Sequence, residues 1–108
     1  LEHLAPPPLG TFAVLGNHDY GARWRHPAVA DRLTARLTDL GVHVLRNARR
    51  DVSGLTLVGL DDLWGTNFHP NDVLAALDPA APAVALCHNP DAVDLNVWGR
   101  FQGWVLSG

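Results

Sequence analysis

The chain has 108 residues, 47% of them hydrophobic, with a formal net charge of -3 and a single cysteine. That length suffices for one domain with a real core and excludes a compact two-domain enzyme. Its eight basic residues are all arginine, spread singly except for Arg49-Arg50, which leaves no basic stripe for nucleic acid, and no apolar run approaches the roughly 20 residues that span a bilayer.

In chain order, Pro6, Pro7 and Pro8 disfavour helix and strand, so Leu1 to Gly10 reads as the tail of an element and a stiff connector. Thr11 to Leu15 is a short apolar run rich in β-formers, the pattern of a buried parallel strand, and Gly16 ends it. Pro27 opens an amphipathic helix in which Val29, Leu33, Leu37 and Leu40 recur at helical spacing before Gly41. Val42 to Leu45 and Leu55 to Leu60 read as strands flanking the polar turn Asn47 to Gly54, with antiparallel pairing expected between the two.

After Asp61-Asp62-Leu63-Trp64-Gly65 a loop follows, and Pro70 and Asp72 favour a short helix from about Asn71 to Leu77. Ala83 to Cys87 has the pattern of another buried strand, His88 to Asp91 of a polar turn, Asp91 to Val97 of a short helix and Trp104 to Leu106 of a last strand. Strands and helices alternate without repeats or low-complexity segments, which specifies one α/β domain over residues 1–108. Cys87 has no partner for an internal disulfide and no signal-peptide pattern surrounds Glu2, so a cytoplasmic or membrane-peripheral location is expected.

In open α/β sheets, ligands bind just outside the carboxyl ends of strands. Three strand ends carry polar groups here: Gly16-Asn17-His18-Asp19, Asp61-Asp62 and His88-Asn89-Pro90-Asp91. An Asn amide oxygen beside a His imidazole in a tight loop offers a metal ligand and a proton donor within reach of one phosphate. The first of the three therefore suggests a metal-dependent phosphoesterase.

Thr11 to Tyr20 (TFAVLGNHDY), Val44 to Asn47 (VLRN), Leu57 to Asp62 (LVGLDD) and Leu86 to Asp91 (LCHNPD) resemble, in order and spacing, the middle of the calcineurin-like metallophosphoesterases of the bacterial YkuE-like subgroup. Trp104 to Gly108 resembles the family's strand leading into a Gly-His-x-His motif. The resemblance implies a partial calcineurin-like phosphoesterase sandwich of βαβ-type layers with a mixed sheet, lacking N- and C-terminal elements. It implies hydrolysis of phosphoric esters: phosphomonoesters, phosphodiesters or pyrophosphate-linked nucleotide lipids. By the same resemblance Asn17 and His88 would ligate one metal of a pair of divalent ions, Mn, Fe or Zn. His18 would touch the phosphate and protonate the leaving oxygen, and Asp19 would orient the His18 ring.

The family's Asp-x-His and Gly-Asp-x-x-Asp ligands have no counterpart upstream of Gly16, and its Gly-His-x-His pair is missing at Gly108. Two protein ligands are too few for a binuclear centre. The expectation is therefore the central part of a longer enzyme, inactive or nearly so by itself, which self-associates through strand edges deprived of partners.

Each of these residues also has a plainer explanation. Asn17-His18-Asp19 could be a helix-capping turn, and His88 could be a buried histidine bonding a carbonyl. Asp61 and Asp62 could bind substrate or metal, or form a solvated turn or helix cap. Cys87 reads as a small core residue, and His3, His26, His43 and His69 as surface. Trp64, Trp98, Trp104 and Phe101 read as core, or as surface covered by other segments, with a substrate platform the lesser alternative. A noncatalytic binding or assembly module on a degenerate phosphoesterase fold is the competing function.

Overall fold

The computed structural model describes residues 5–108; His3 and the start of the expected N-terminal tail lie outside the described residues. The connector closes in a turn in which the Gly10 N–H donates to the Pro7 carbonyl (3.0 Å). Strand β1 (Thr11–Ala13) follows, then a 3₁₀ turn Asn17–Tyr20, helix α1 (Pro27–Asp39) and strand β2 (Val42–Val44). β1 and β2 pair in parallel, Thr11 opposite Val42 and Ala13 opposite Val44, so α1 is the crossover of a βαβ unit. Leu33 and Leu37 of α1, two of the four positions of the expected stripe, pack with Val44 around the buried Leu15, Tyr20 and Ala30.

Strands β3 (Ala48–Val52), β4 (Leu55–Gly59), β5 (Ala83–Leu86) and β6 (Trp104–Leu106) form a second sheet in the order β3-β4-β5-β6. The β3-β4 pair is antiparallel and the other two are parallel, so this sheet is mixed. Helix α2 (Pro70–Ala75) contributes Leu74 to the larger core, where Val58, Leu60, Ala85, Cys87 and Ala92 are buried together. Trp98 and Phe101 pack on this core, their ring centroids 5.5 Å apart, and the Trp98 indole donates to the Ala92 carbonyl (2.8 Å). The chain is thus an α/β domain of two sheets and two α-helices among the described residues. No helix among them is long and apolar enough to cross a membrane.

The two sheets meet at Gly59. A Cβ at this position would lie 2.2 Å from the Leu45 Cβ, 2.8 Å from the Leu45 carbonyl oxygen and 2.9 Å from the Val14 Cγ1, closer than atoms can approach. The absence of a side chain at the end of β4 lets the ends of β1 and β2 come against it. This contact sets the carboxyl ends of β1 and β4 beside each other.

Several expectations are corrected. β2 does not pair with β4; it pairs with β1, and the hairpin partner of β4 is β3, inside the segment read as a polar turn. Arg49, Arg50 and Asp51 are exposed because β3 is an edge strand, where charge is tolerated and guards against further pairing. The true turn is Ser53-Gly54, both at positive φ (49° and 88°), the backbone twist that suits a two-residue hairpin. The helix expected from Asp91 to Val97 is a 3₁₀ stretch at Pro90–Asp94. β1 is half-buried along its length, and Leu15 and Cys87, expected within strands, lie just past them as core residues. Of the residues read as core or surface, Trp98 and Phe101 pack on the core, and Trp64 and Trp104 lie at the surface, 54% and 77% exposed.

Candidate functional site

Three contacts tie together the three strand ends singled out in the sequence. The His88 ring, after β5, lies flat against Gly16, after β1: a Cβ on Gly16 would be 2.8 Å from three atoms of the imidazole. The Tyr20 hydroxyl, at the close of the first turn, donates to Asp61 Oδ1 after β4. The Asn89 Oδ1, next to His88, accepts from the Leu63 N–H of the loop after β4 (2.8 Å). Asn17, Asp61, Asp62 and His88 are therefore drawn to one place by long-range contacts, although they span most of the chain.

Within the first turn the Asn17 Oδ1 accepts from the His18 N–H (2.9 Å), and the Asp19 carboxylate accepts from the Gly16 N–H (2.9 Å). Asp19 thus closes the turn onto its own first residue. His18 is exposed, its ring tilted at 58° to that of Trp24 with centroids 6.4 Å apart. His88 is half-exposed, and its Nδ1 lies 2.5 Å from the Gly108 carbonyl oxygen. A carbonyl only accepts, so Nδ1 carries the proton and the Nε2 lone pair is left for another partner. The carbonyl bond of the plainer explanation is present, and it is also the second contact that fixes the tautomer of a ligating histidine.

The two acidic residues differ sharply. Both are 1% exposed, which rules out a solvated turn. Asp61 is fully engaged: besides Tyr20 it accepts from the Arg46 Nε (3.1 Å) and the Asp62 N–H (3.0 Å), and Arg46 also bonds Asp31 (2.7 Å) and the Tyr20 oxygen (3.2 Å). Burial, and then the Asp61 carboxylate, push the Tyr20 phenol up to about 12. Both Asp61 oxygens are thus bonded within the protein, which gives this residue a structural part at the junction of the two loops.

Neither oxygen of Asp62, in contrast, has a hydrogen-bond partner. Burial raises its carboxyl above the usual carboxylate range, against the opposing pull of the Asn89 amide and of His88. The Asn89 amide and the N–H groups of Trp64 and Gly65 lie near enough to favour its charged form without forming a full hydrogen bond, and a cation beside His88 would complete its partners. Among the described residues no group of three or more His, Cys, Asp or Glu side chains is gathered closely enough to hold a metal, so the donors present are Asn17, His88 and the nearby Asp62. Burial also raises the Cys87 thiol, which keeps it protonated in the core. His26, His43 and His69 are exposed, as expected.

Sequence reasoning passed over three features. Tyr20 and Arg46 were visible as the only tyrosine and as a lone arginine at a strand end. Asn47, beside Arg46, accepts from the Asp61 N–H (3.2 Å) and steadies the same junction. The third is the run Arg23-Trp24-Arg25, which lines an open cleft of about 470 Å³ together with Trp64. Arg23 and Trp24 are both left-handed, at φ 58° each, which costs a residue with a side chain roughly 1–2 kcal/mol.

Comparison with protein-family models, with curated proteins and with solved structures finds no match for this chain.

Proposed function

We propose that this chain is the central portion of a metal-dependent phosphoric-ester hydrolase, and that its two sheets are part of a calcineurin-like sandwich. The observation that carries this reading is the packing of His88 on Gly16, which brings a candidate nitrogen ligand onto the Gly16-Asn17-His18-Asp19 turn from 72 positions away in sequence, 88 minus 16. Asn17 and His88 would hold one divalent ion, and the orphaned carboxylate of Asp62 supports a cation here. The mixed oxygen and nitrogen donors suit Mn, Fe or Zn. When bound, two such ions would polarise the phosphoryl group and activate water.

The chain's own residues supply the rest. Asp19 holds the turn that presents His18 at the surface, where its ring can reach a phosphate. In hydrolysis a water oxygen bonds to phosphorus while the bond from phosphorus to the leaving oxygen breaks, and the His18 imidazolium transfers its proton to that oxygen. Tyr20, Asp61 and Arg46 keep the loops after β1 and β4 in register with each other. The ligands missing from these 108 residues would come from other segments of the polypeptide, and the exposed Trp104 and Leu106 on edge strand β6 support self-association when that edge is uncovered.

A polypeptide that carries this segment with the remaining ligand motifs is expected to hydrolyse bis-p-nitrophenyl phosphate with added Mn²⁺. Asn17→Ala and His88→Ala are each expected to lower kcat/KM by about a hundredfold or more. Retention of activity in both variants would remove them as ligands. The absence of a three-residue ligand cluster among the described residues favours one second reading, a noncatalytic binding module; it predicts no Mn²⁺-dependent hydrolysis even when the missing motifs are present.

A further inference from the structure

The cleft formed by Arg23, Trp24, Arg25 and Trp64 adjoins the proposed proton donor but has no part in the chemistry assigned above. Its composition is unusual for an idle surface. Two tryptophans, 39% and 54% exposed, face one open space, and each offers a planar apolar face to solvent. The two arginines flank Trp24 in sequence, and among the described residues neither guanidinium makes a hydrogen bond or an ion pair. The backbone is left-handed at two successive bulky residues, Arg23 and Trp24, with no glycine or asparagine to ease it. Strained backbone of this kind is kept where a side chain must point in a set direction. Here the strained residues are the ones that aim the ring and a charge into the cleft.

We infer that this cleft is the specificity subsite for the substrate of the proposed hydrolase, and that it takes a planar aromatic group joined to phosphate, as in a nucleotide ester. The inference rests on the phosphoesterase reading of the adjoining turn. Trp24 and Trp64 offer faces on which a base stacks, a contact open to any aromatic ring because every base has a π-face. Arg23 and Arg25 offer forked donors that fit phosphate oxygens and are weakly hydrated, so they are suited to hold an anion at a wet surface. The His18 ring beside Trp24, at 6.4 Å between centroids, places the proton donor next to the stacking platform. A substrate held by its aromatic end would thus present its phosphate towards the Asn17-His18 turn. An alkyl phosphate would gain the charge contacts without the stacking, and would be bound less tightly.

The test is a titration of the 108-residue chain, without metal, followed by tryptophan emission and by calorimetry. The probes are AMP, adenosine and ribose 5-phosphate. AMP is expected to quench emission and to bind about tenfold or more tighter than ribose 5-phosphate, the difference that stacking of one base supplies. Trp24→Ala and Trp64→Ala should each weaken AMP binding by about fivefold or more, whereas Trp24→Phe should keep most of it. The pair Arg23→Ala with Arg25→Ala should abolish the preference for AMP over adenosine, with far-ultraviolet circular dichroism confirming that every variant is folded. Equal binding of AMP and ribose 5-phosphate, or AMP binding unchanged in both tryptophan variants, would overturn the subsite. So would the absence of AMP binding at millimolar concentration. These outcomes are separate from the hydrolysis assay: AMP binding without Mn²⁺-dependent hydrolysis would sink the phosphoesterase reading and the role as its subsite, and leave a cleft that binds an aromatic phosphate.

Discussion

Asp61→Ala is expected to destabilise the domain by about 3–5 kcal/mol, the cost of removing the acceptor of the buried Tyr20 hydroxyl and of the Asp62 N–H, together with one of the two carboxylates that hold the partly buried Arg46. The carboxylate is 1% exposed, and it is the shared acceptor for the Tyr20 hydroxyl, the Arg46 Nε and the Asp62 N–H. Small domains have about 5–15 kcal/mol in total, so the variant would be partly unfolded near room temperature or would melt at least about 12 °C lower. Asp61→Asn keeps one acceptor for Tyr20 and the Asp62 N–H but removes the charge and turns an NH2 donor towards the Arg46 Nε, so it should be destabilised by less than Asp61→Ala yet clearly so. Thermal unfolding followed by circular dichroism measures both.

The chain has one tyrosine, so its phenolate absorbance reports Tyr20 alone. The phenol is raised from 10.0 to about 12 by burial and by Asp61, so the folded state favours the protonated form. That contribution to stability is fully present below pH 10 and is lost as the pH rises from 10 towards 12, where unfolding releases the proton. In Asp61→Asn the absorbance should titrate below 12. A midpoint unchanged by the substitution would show that Asp61 does not face Tyr20.

Gly59→Ala is expected to cost about 3 kcal/mol, at the upper end for overpacking, because two of its three nearest collisions are not with flexible atoms. The added methyl would stand 2.2 Å from the Leu45 Cβ and 2.8 Å from its carbonyl oxygen, so relief requires the end of β2 to move away. Trimming the third neighbour with Val14→Ala should therefore restore little of the loss. If denaturant unfolding gave the single variant the stability of the parent chain, the sheets would not meet at Gly59. The effect on function follows from the same geometry, since this contact sets the β1 end beside the β4 end.

Local pattern made much of this arrangement legible. The apolar spacing in α1, the short apolar run before Gly16 and the apolar run of β5 each carried their own signal, and the turn at Gly16-Asn17-His18-Asp19 could be placed on a strand's carboxyl end. β3 was not legible, because an edge strand that exposes Arg49, Arg50 and Asp51 has no apolar alternation, although Ser53-Gly54 marks its turn. The pairing of β2 with β1 was hidden for a different reason: it is decided by the crossover of α1, not by proximity in sequence. Nor could the sequence separate Asp61 from its neighbour. What makes Asp61 structural is Tyr20, 41 positions away, and Arg46, 15 away, and what leaves Asp62 bare is their absence on its side. The cleft at Trp24 escaped because a tryptophan is read as core by default, and because no residue type there announces a left-handed backbone.

The claim on which the account depends is that Asn17 and His88 belong to one cation site. It is tested by adding substoichiometric Mn²⁺ to the isotope-labelled chain and following the paramagnetic broadening of side-chain resonances. The Asn17 amide and the His88 ring are expected to broaden first and together, while the exposed His26, His43 and His69 keep their lines. Broadening confined to those exposed histidines, with Asn17 and His88 left sharp, would contradict it.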